Sequence, residues 1–474
     1  MTTTLTLRLA AAAAIVALLP ASARAQTRTA SRDSQPTVSQ EGAPTDSVKK
    51  ADSAATAKPR PRLPRYIAPM DEIQYIRHAD ARGLNVFESP KTEGTDYTGL
   101  KVSWGGAFTQ QFQNLTHQNT AAPKVVSGVD ANQLIAIGSG FNNADANLFL
   151  NVQVARGIRV AVETYASARH HQETWIKDGY FLIDESPIEN PLLDKLMKYT
   201  TLKVGHFEVN YGDQHFRRSD NGQTIYNPFV GNFIMDDFTT EIGAEAYLRN
   251  NGFMAMAGLT GGEVHGQVTA PGQRGPTYLA KLGVDKQPTS DLRVRLTGSL
   301  YKTDRSASNT LTSGDRGGSR YYDVLENTAS TETANAWSGN VQSGMRDYVT
   351  AFVINPFLKY KGAEFFGNVE TQTGAAANEA TRRTLRQLVG EGLYRFAGEK
   401  LYVGGRYNTV KGELAGIGND ITVNRTQLGG GWFVTPNVLS KIEFVRQNYV
   451  DFPTSDIRSG GKFQGFMVEG AVAF

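Results

Sequence analysis

Beyond Gly99, apolar and polar side chains alternate with a period of two, the pattern of strands with one greasy and one wet face. In the first such run Leu100, Val102, Trp104, Phe108 and Phe112 oppose Lys101, Ser103, Thr109, Gln111 and Gln113. Leu148, Leu150, Val152 and Val154 repeat it against Asn147, Asn151 and Gln153. After Arg156-Gly157, Ile158, Val160 and Val162 stand opposite Arg159 and Glu163. Ile242, Ala244, Ala246 and Leu248 alternate with Glu241, Glu245 and Arg249, and Leu292, Val294, Leu296 and Leu300 with Arg293, Arg295, Thr297 and Ser299. Phe365 and Val369 oppose Glu364, Asn368, Glu370 and Gln372, and Val403 and Tyr407 oppose Arg406 and Asn408. So charged a face is unusual for a soluble barrel core, whereas in a wet interior behind a lipid-facing wall it costs little.

The connections alternate in length. Short ones, such as residues 156–157, 250–252, 285–290, 361–362, 397–400 and 435–437, are separated by long ones at 117–143, 213–238, 261–276, 303–345, 411–422 and 451–462. Transmembrane barrels place short turns at one rim and long loops at the other. With that rule, residues 170–200 must hold one loop, one strand near 175–184 and one link at 185–198. The predicted fold is therefore all-β, a transmembrane antiparallel β-barrel of about 16 strands over residues 96–474, with 14 or 18 as the neighbouring even counts. Between Tyr348 and Tyr360, 12 steps of roughly 3.3 Å tilted about 40° rise ~30 Å, one bilayer core. Pro356 in that strand lacks a ladder donor and predicts a bulge.

Composition changes the picture at the N-terminus. The apolar run at residues 9–19 follows Arg8 and precedes Ala23-Arg24-Ala25, the layout of a cleaved secretory signal peptide over residues 1–25. Residues 26–95 are rich in Ser, Thr, Ala, Pro and Lys, including the basic proline-spaced run at 58–65, and read as a disordered periplasmic linker with at most a short helix at 70–81. With no cysteine, disulfides and thiolate sites are excluded. A net charge of +3 gives no support for nucleic-acid binding. No cofactor or metal is expected, since His170-His171 and His206-x-Glu208 have no further ligands at useful spacing.

The candidate chemistry lies in the long loop 213–238, which carries Asp213, His215, Arg217, Arg218, Asp220, Asp236 and Asp237. It follows Leu202-Lys-Val-Gly-His-Phe-Glu-Val-Asn-Tyr-Gly212, which resembles the "strand, G-x-F, then Y/F-G" entry to the constriction loop of phosphate-selective-type porins across residues 203–237. The resemblance implies an outer-membrane channel in a Gram-negative-type envelope. It further implies a homotrimer, a loop folded into the pore, and an anion path lined by arginine and lysine. The last strand, with Phe466, Val468, Val472 and Phe474 on one face, resembles the signal read by the outer-membrane barrel-assembly machinery. The expected partners are thus outer-membrane lipids, that machinery, and small polar or anionic solutes. This sequence departs from a purely basic lining, because acids accompany Arg217 and Arg218. On the wall, Glu241 and Glu245 accompany Arg293, Arg295, Arg406 and Arg425. Opposed charges make a transverse field rather than a single-sign filter.

Arg217 and Arg218 have a second reading, as groups paired with Asp220 or wall glutamates to hold the loop down. Two further readings of the chain remain. Asp213, His215 and Asp220, or His206 with Ser219, suggest a rim hydrolase, although no G-x-S-x-G is present. A lumen filled with apolar side chains would instead mark a closed barrel serving as an anchor or assembly partner.

Overall fold

The computed structural model describes residues 73–474 except 90, 92–95, 168–173, 263–267, 270, 307–308, 314–321 and 331–338. The expected signal peptide and most of the expected linker lie outside the described residues. Sixteen strands close into one antiparallel barrel. They are β1 (Lys101–Gln118), β2 (Gly140–Ala155), β3 (Ile158–Ser167), β4 (Thr174–Ile183), β5 (Thr200–Glu208), β6 (Thr240–Asn250), β7 (Phe253–Thr260) and β8 (Thr277–Lys286). Then follow β9 (Leu292–Thr303), β10 (Tyr348–Tyr360), β11 (Ala363–Ala375), β12 (Arg383–Phe396), β13 (Leu401–Glu413), β14 (Asp420–Thr435), β15 (Val438–Val450) and β16 (Lys462–Ala473). Each strand pairs with its sequence neighbours, and β1 pairs with β16 from Ala107↔Ala473 to Gln118↔Lys462 to close the ring.

The alternation decides which face is which. Leu100, Trp104, Leu148, Ile242, Leu248, Phe352 and Val369 are exposed on the outside, while Gln111, Asn147, Glu241, Arg295 and Glu370 are buried on the inside. Short turns need special backbone, and Asn251-Gly252, with φ of 49° and 78°, supplies the left-handed pair that a two-residue hairpin requires. The link after β4 carries one helix, α1 (Pro191–Met197), whose N-cap Asn190 accepts from the amides of Leu192 and Leu193.

Three expectations are corrected. Pro356 makes no bulge: the register with β11 runs unshifted from Ile354↔Val369 to Phe357↔Phe366. Gly367 leaves room for the ring, since a Cβ there would lie 2.8 Å from Pro356, and Asn355 Nδ2 donates to Gly367 O at 3.1 Å. Residues 73–89, assigned to the solvated linker on composition, instead pack inside the barrel. There Ile73 and Phe87 are buried; of the short helix expected at 70–81, the described residues 73–80 form none, and a 3-10 turn, Ala81–Gly83 capped by Asp80, begins at its end. The interior is also less uniformly polar than expected. Val353, Leu385, Val410, Val423 and Val445 face inward and form one apolar cluster with Ile234, Met235, Tyr322, Val341 and Met345 from the two longest loops.

Candidate functional site

The loop 213–238 folds into the lumen and crosses it. Gly212, at φ 72°, turns the chain inward after β5, and its carbonyl accepts from Lys281 Nζ at 2.8 Å. Asp213 is then clamped by Lys281 at 2.7 Å, Arg295 at 2.8 Å and the Thr297 hydroxyl at 2.8 Å. Arg217 reaches Glu391 at 2.6 Å and stacks over Phe366. The tip lies against the opposite wall, where Gly222 N donates to Asn147 at 2.6 Å and Thr109 donates to Gly222 O at 2.7 Å. A Cβ at Gly222 would come within 2.7 Å of the Ala146 backbone, so only glycine fits there.

The chain returns along β15 to β11. Lys441 donates to the carbonyls of Thr224, Asn227 and Phe229, and Glu443 accepts from the amide of Val230 at 2.8 Å. Arg425 donates to Asn232 O at 2.6 Å and Arg406 to Gly231 O at 2.8 Å. Gln387 takes both the amide and the carbonyl of Met235 at 2.9 Å. The described residues of the loop 304–347 bond to its returning end, where Phe238 N donates to Leu311 O and Val341 N to Ile234 O, both at 2.7 Å.

All the expected wall residues face inward, but they act mainly as clamps. Glu241 accepts from Tyr301 at 2.5 Å and Glu245 from Asn210 N at 2.8 Å, while Arg293 pairs with Asp285 at 2.7 Å. Arg218 makes a two-pronged bond to Asp236 at 2.9 and 2.7 Å and a third to Asp220 at 2.9 Å. Asp237 is held by Gln214 at 3.0 Å and Gln372 at 2.6 Å. Burial, then the neighbouring Glu370 carboxylate, raise Asp237 well above the usual carboxylate range. The acids and histidine of the hydrolase reading are not brought together. Asp213 and Asp220 are engaged by cations, and His215 faces Glu208 at 3.5 Å and Asn210 at 3.0 Å. Burial holds the His215 imidazole below its ordinary value despite that carboxylate. Ser219 bonds within its own loop, to Asn227 at 3.1 Å.

Open space remains on the β2–β6 side. A cavity of about 310 Å³ lies between that wall, the first half of the loop and residues 76–89. Its most concentrated charge is one the alternation did not single out. The register between β3 and β4 slips between Glu163↔Asp178 and Thr164↔Ile176, leaving Lys177 as the extra residue of a bulge. A bulge re-aims side chains, and here adjacent Lys177 and Asp178 both point inward. Lys177 Nζ lies 2.5 Å from Asp220, 2.9 Å from Glu208 and 3.7 Å from both Glu163 and Asp178. The available signal was the Lys-Asp pair itself, two neighbouring charges that strict alternation cannot put on one face. Lys281, fully buried, was also missed, although its alternation with Tyr278 and Leu282 places it inside.

A third missed group is Glu88, from the stretch read as linker. It meets Arg295 at 2.9 Å and Lys281 at 3.3 Å, joining the Asp213 cluster. Burial would raise this carboxyl, but Arg295 and Lys281 prevail over burial and Asp213 and hold it at about 2, below the ordinary 4.5. A depressed carboxylate contributes stability above its unfolded value and loses it as pH falls through the folded one. The Glu88 contacts should therefore be constant from about pH 5 upward and dissolve only near pH 2. A carboxyl ¹³C titration of Glu88 with a midpoint above 4 would refute this.

No protein-family model matches the chain, and no curated protein matches it. Among solved structures it is similar to OmpT, an outer membrane protein of Vibrio cholerae in its trimer form, at 12% identity and a TM-score of 0.46 over 79% of this chain and 100% of that one. It is also similar to an anion-selective porin from Comamonas acidovorans (11% identity, TM-score 0.47, 79% and 100%) and to the outer membrane channel DcaP of Acinetobacter baumannii (10%, 0.45, 81% and 100%). At this level the likeness says nothing of what the chain conducts, and the fold rests on its own closed ladder of strands.

Proposed function

We propose that the chain is an outer-membrane channel for passive diffusion of small hydrophilic solutes and ions, narrowed by the loop 213–238. The observation that carries this reading is a closed barrel with an apolar outer belt and a charge-lined space left between loop and wall on the β2–β6 side. Asp213, His215, Arg217, Arg218, Asp220, Asp236 and Asp237 shape the constriction. Most of them do so by fixing the loop, while Asp220 and His215 also border the space. Export by a cleaved signal peptide, delivery by the barrel-assembly machinery through Phe474, and a homotrimer belong to the same reading. Cations and acids along the space are closely paired, which favours weak ion selectivity over a dedicated phosphate path.

The test is current through the purified barrel in a planar bilayer under a salt gradient. Ohmic conductance with a reversal potential near zero is expected. A strongly anion-selective current would restore the phosphate-type path, and no current from the full chain or from a chain lacking residues 73–89 would favour the closed-barrel reading, to which the apolar interior cluster on the far side lends its weight.

A further inference from the structure

We propose that residues 73–89 are a gate, a strap across the short-turn end of the lumen whose withdrawal opens the passage; this rests on the channel reading above. Two cavities adjoin at the short-turn end, one of about 310 Å³ that reaches from Ser103, Asn437 and Phe474 inward to Lys177 and Asp220, and a vestibule of about 1200 Å³ beside it. Phe87, Glu88, Ser89 and Arg249 line both, so this part of the strap is the partition between them.

The strap is fastened in a way that permits release. Among the described residues, one backbone hydrogen bond joins it to the barrel, Ala81 N to Pro436 O at 2.9 Å. The wall strands, by contrast, are laddered on both sides. All other ties of the strap run through side chains. Near the rim, Gln74 N donates to Gln153 at 3.1 Å and Tyr75 to Glu185 at 2.7 Å. Deeper, Asn85 donates to Glu364 at 3.0 Å and accepts from Arg217, and Phe87 packs edge-on against Phe357 at 5.4 Å and Phe216 at 5.9 Å. Local opening of a segment without ladder bonds need not break the sheet that holds it. Because Asn85, Phe87 and Glu88 touch Arg217, Phe216 and the Asp213 cluster, the strap and the constriction loop share their fastenings.

The experiment compares single-channel conductance of the full chain, of a chain lacking residues 73–89, and of the F87A/E88Q double variant. Each is first checked for a closed barrel by its strand signature in circular dichroism. The deletion should raise conductance at least about twofold, and the double variant should add frequent steps to that higher level. A silent full chain beside a conducting deletion would support the gate most directly. If both variants fold and conduct as the full chain does, the gate is wrong and the channel stands. Current from none of the three rejects the channel reading and the gate with it. Should the deletion fail to fold, the double variant decides.

Discussion

Lys177→Met should convert a weakly selective channel into a cation-selective one. This lysine is the ammonium that four carboxylates, Glu163, Asp178, Glu208 and Asp220, share within 3.7 Å. Arg218 answers part of Asp220, and His215 lies 3.5 Å from Glu208. Removing Lys177 leaves an excess of negative charge beside the cavity. One unit charge about 4 Å from a permeating ion changes its energy by about 1 kcal/mol even at the dielectric of water. That corresponds to about fivefold in relative occupancy. The reversal potential in a salt gradient should move toward the cation side by the equivalent permeability ratio, while Lys177→Arg should leave it near its original value. An unchanged potential in Lys177→Met, with conductance intact, would place the ion path elsewhere.

Glu391→Ala should loosen the constriction loop and lower the thermal stability of the barrel together. Glu391 accepts from Arg217 in the loop at 2.6 Å and from Arg406 on the wall at 2.6 and 2.9 Å. Both guanidiniums are buried, and breaking a buried pair by removing one partner costs about 3–5 kcal/mol because a charge is left uncompensated. Glu364, at 3.8 Å from Arg217, is too far to take over fully. Expected are larger and noisier conductance steps and a lower unfolding temperature. The double variant E391M/R406M, which removes the unpaired charge of Arg406 but leaves that of Arg217, should recover only part of the stability. If Glu391→Ala alone leaves both readouts unchanged, the loop is held by its backbone contacts to Gln387, Lys441 and Glu443 rather than by charge.

The two variants probe residues of different legibility. Glu391 lies inward on β12, as alternation requires of a position between Gly390 and Gly392, but nothing in its own segment names Arg217 as its partner, 174 residues away in sequence. Lys177 is inward only because β4 carries a bulge, which depends on how Glu163 and Thr164 pair across the ladder. Pro356 shows the converse. A local rule predicts distortion, and a neighbour, Gly367, removes the need for it.

The strap was misread for a related reason. Its polar composition resembles the chain before it, yet Ile73, Leu84, Val86 and Phe87 return apolar bulk that a purely solvated linker does not carry. Phe87 packs with Phe357 of β10, Phe366 of β11 and Phe233 of the loop, and Leu84 against a cluster of Ile225 and Phe229 of the loop with Leu439 and Ala471 of the wall.

The loop that enters the lumen was marked by its resemblance to a porin constriction loop; the sequence by itself determined the all-β class, an even strand count near sixteen, and the lipid-facing and inward faces. Those features follow from a period of two and from turn lengths, both of which are local and survive in one dimension. Tertiary structure alone decided which cation meets which acid, that the wall arginines clamp the loop, where open space remains, and that residues 73–89 close the barrel's short-turn end. Those depend on distances across a closed ring, where the energy of a charge is set by neighbours far away in sequence.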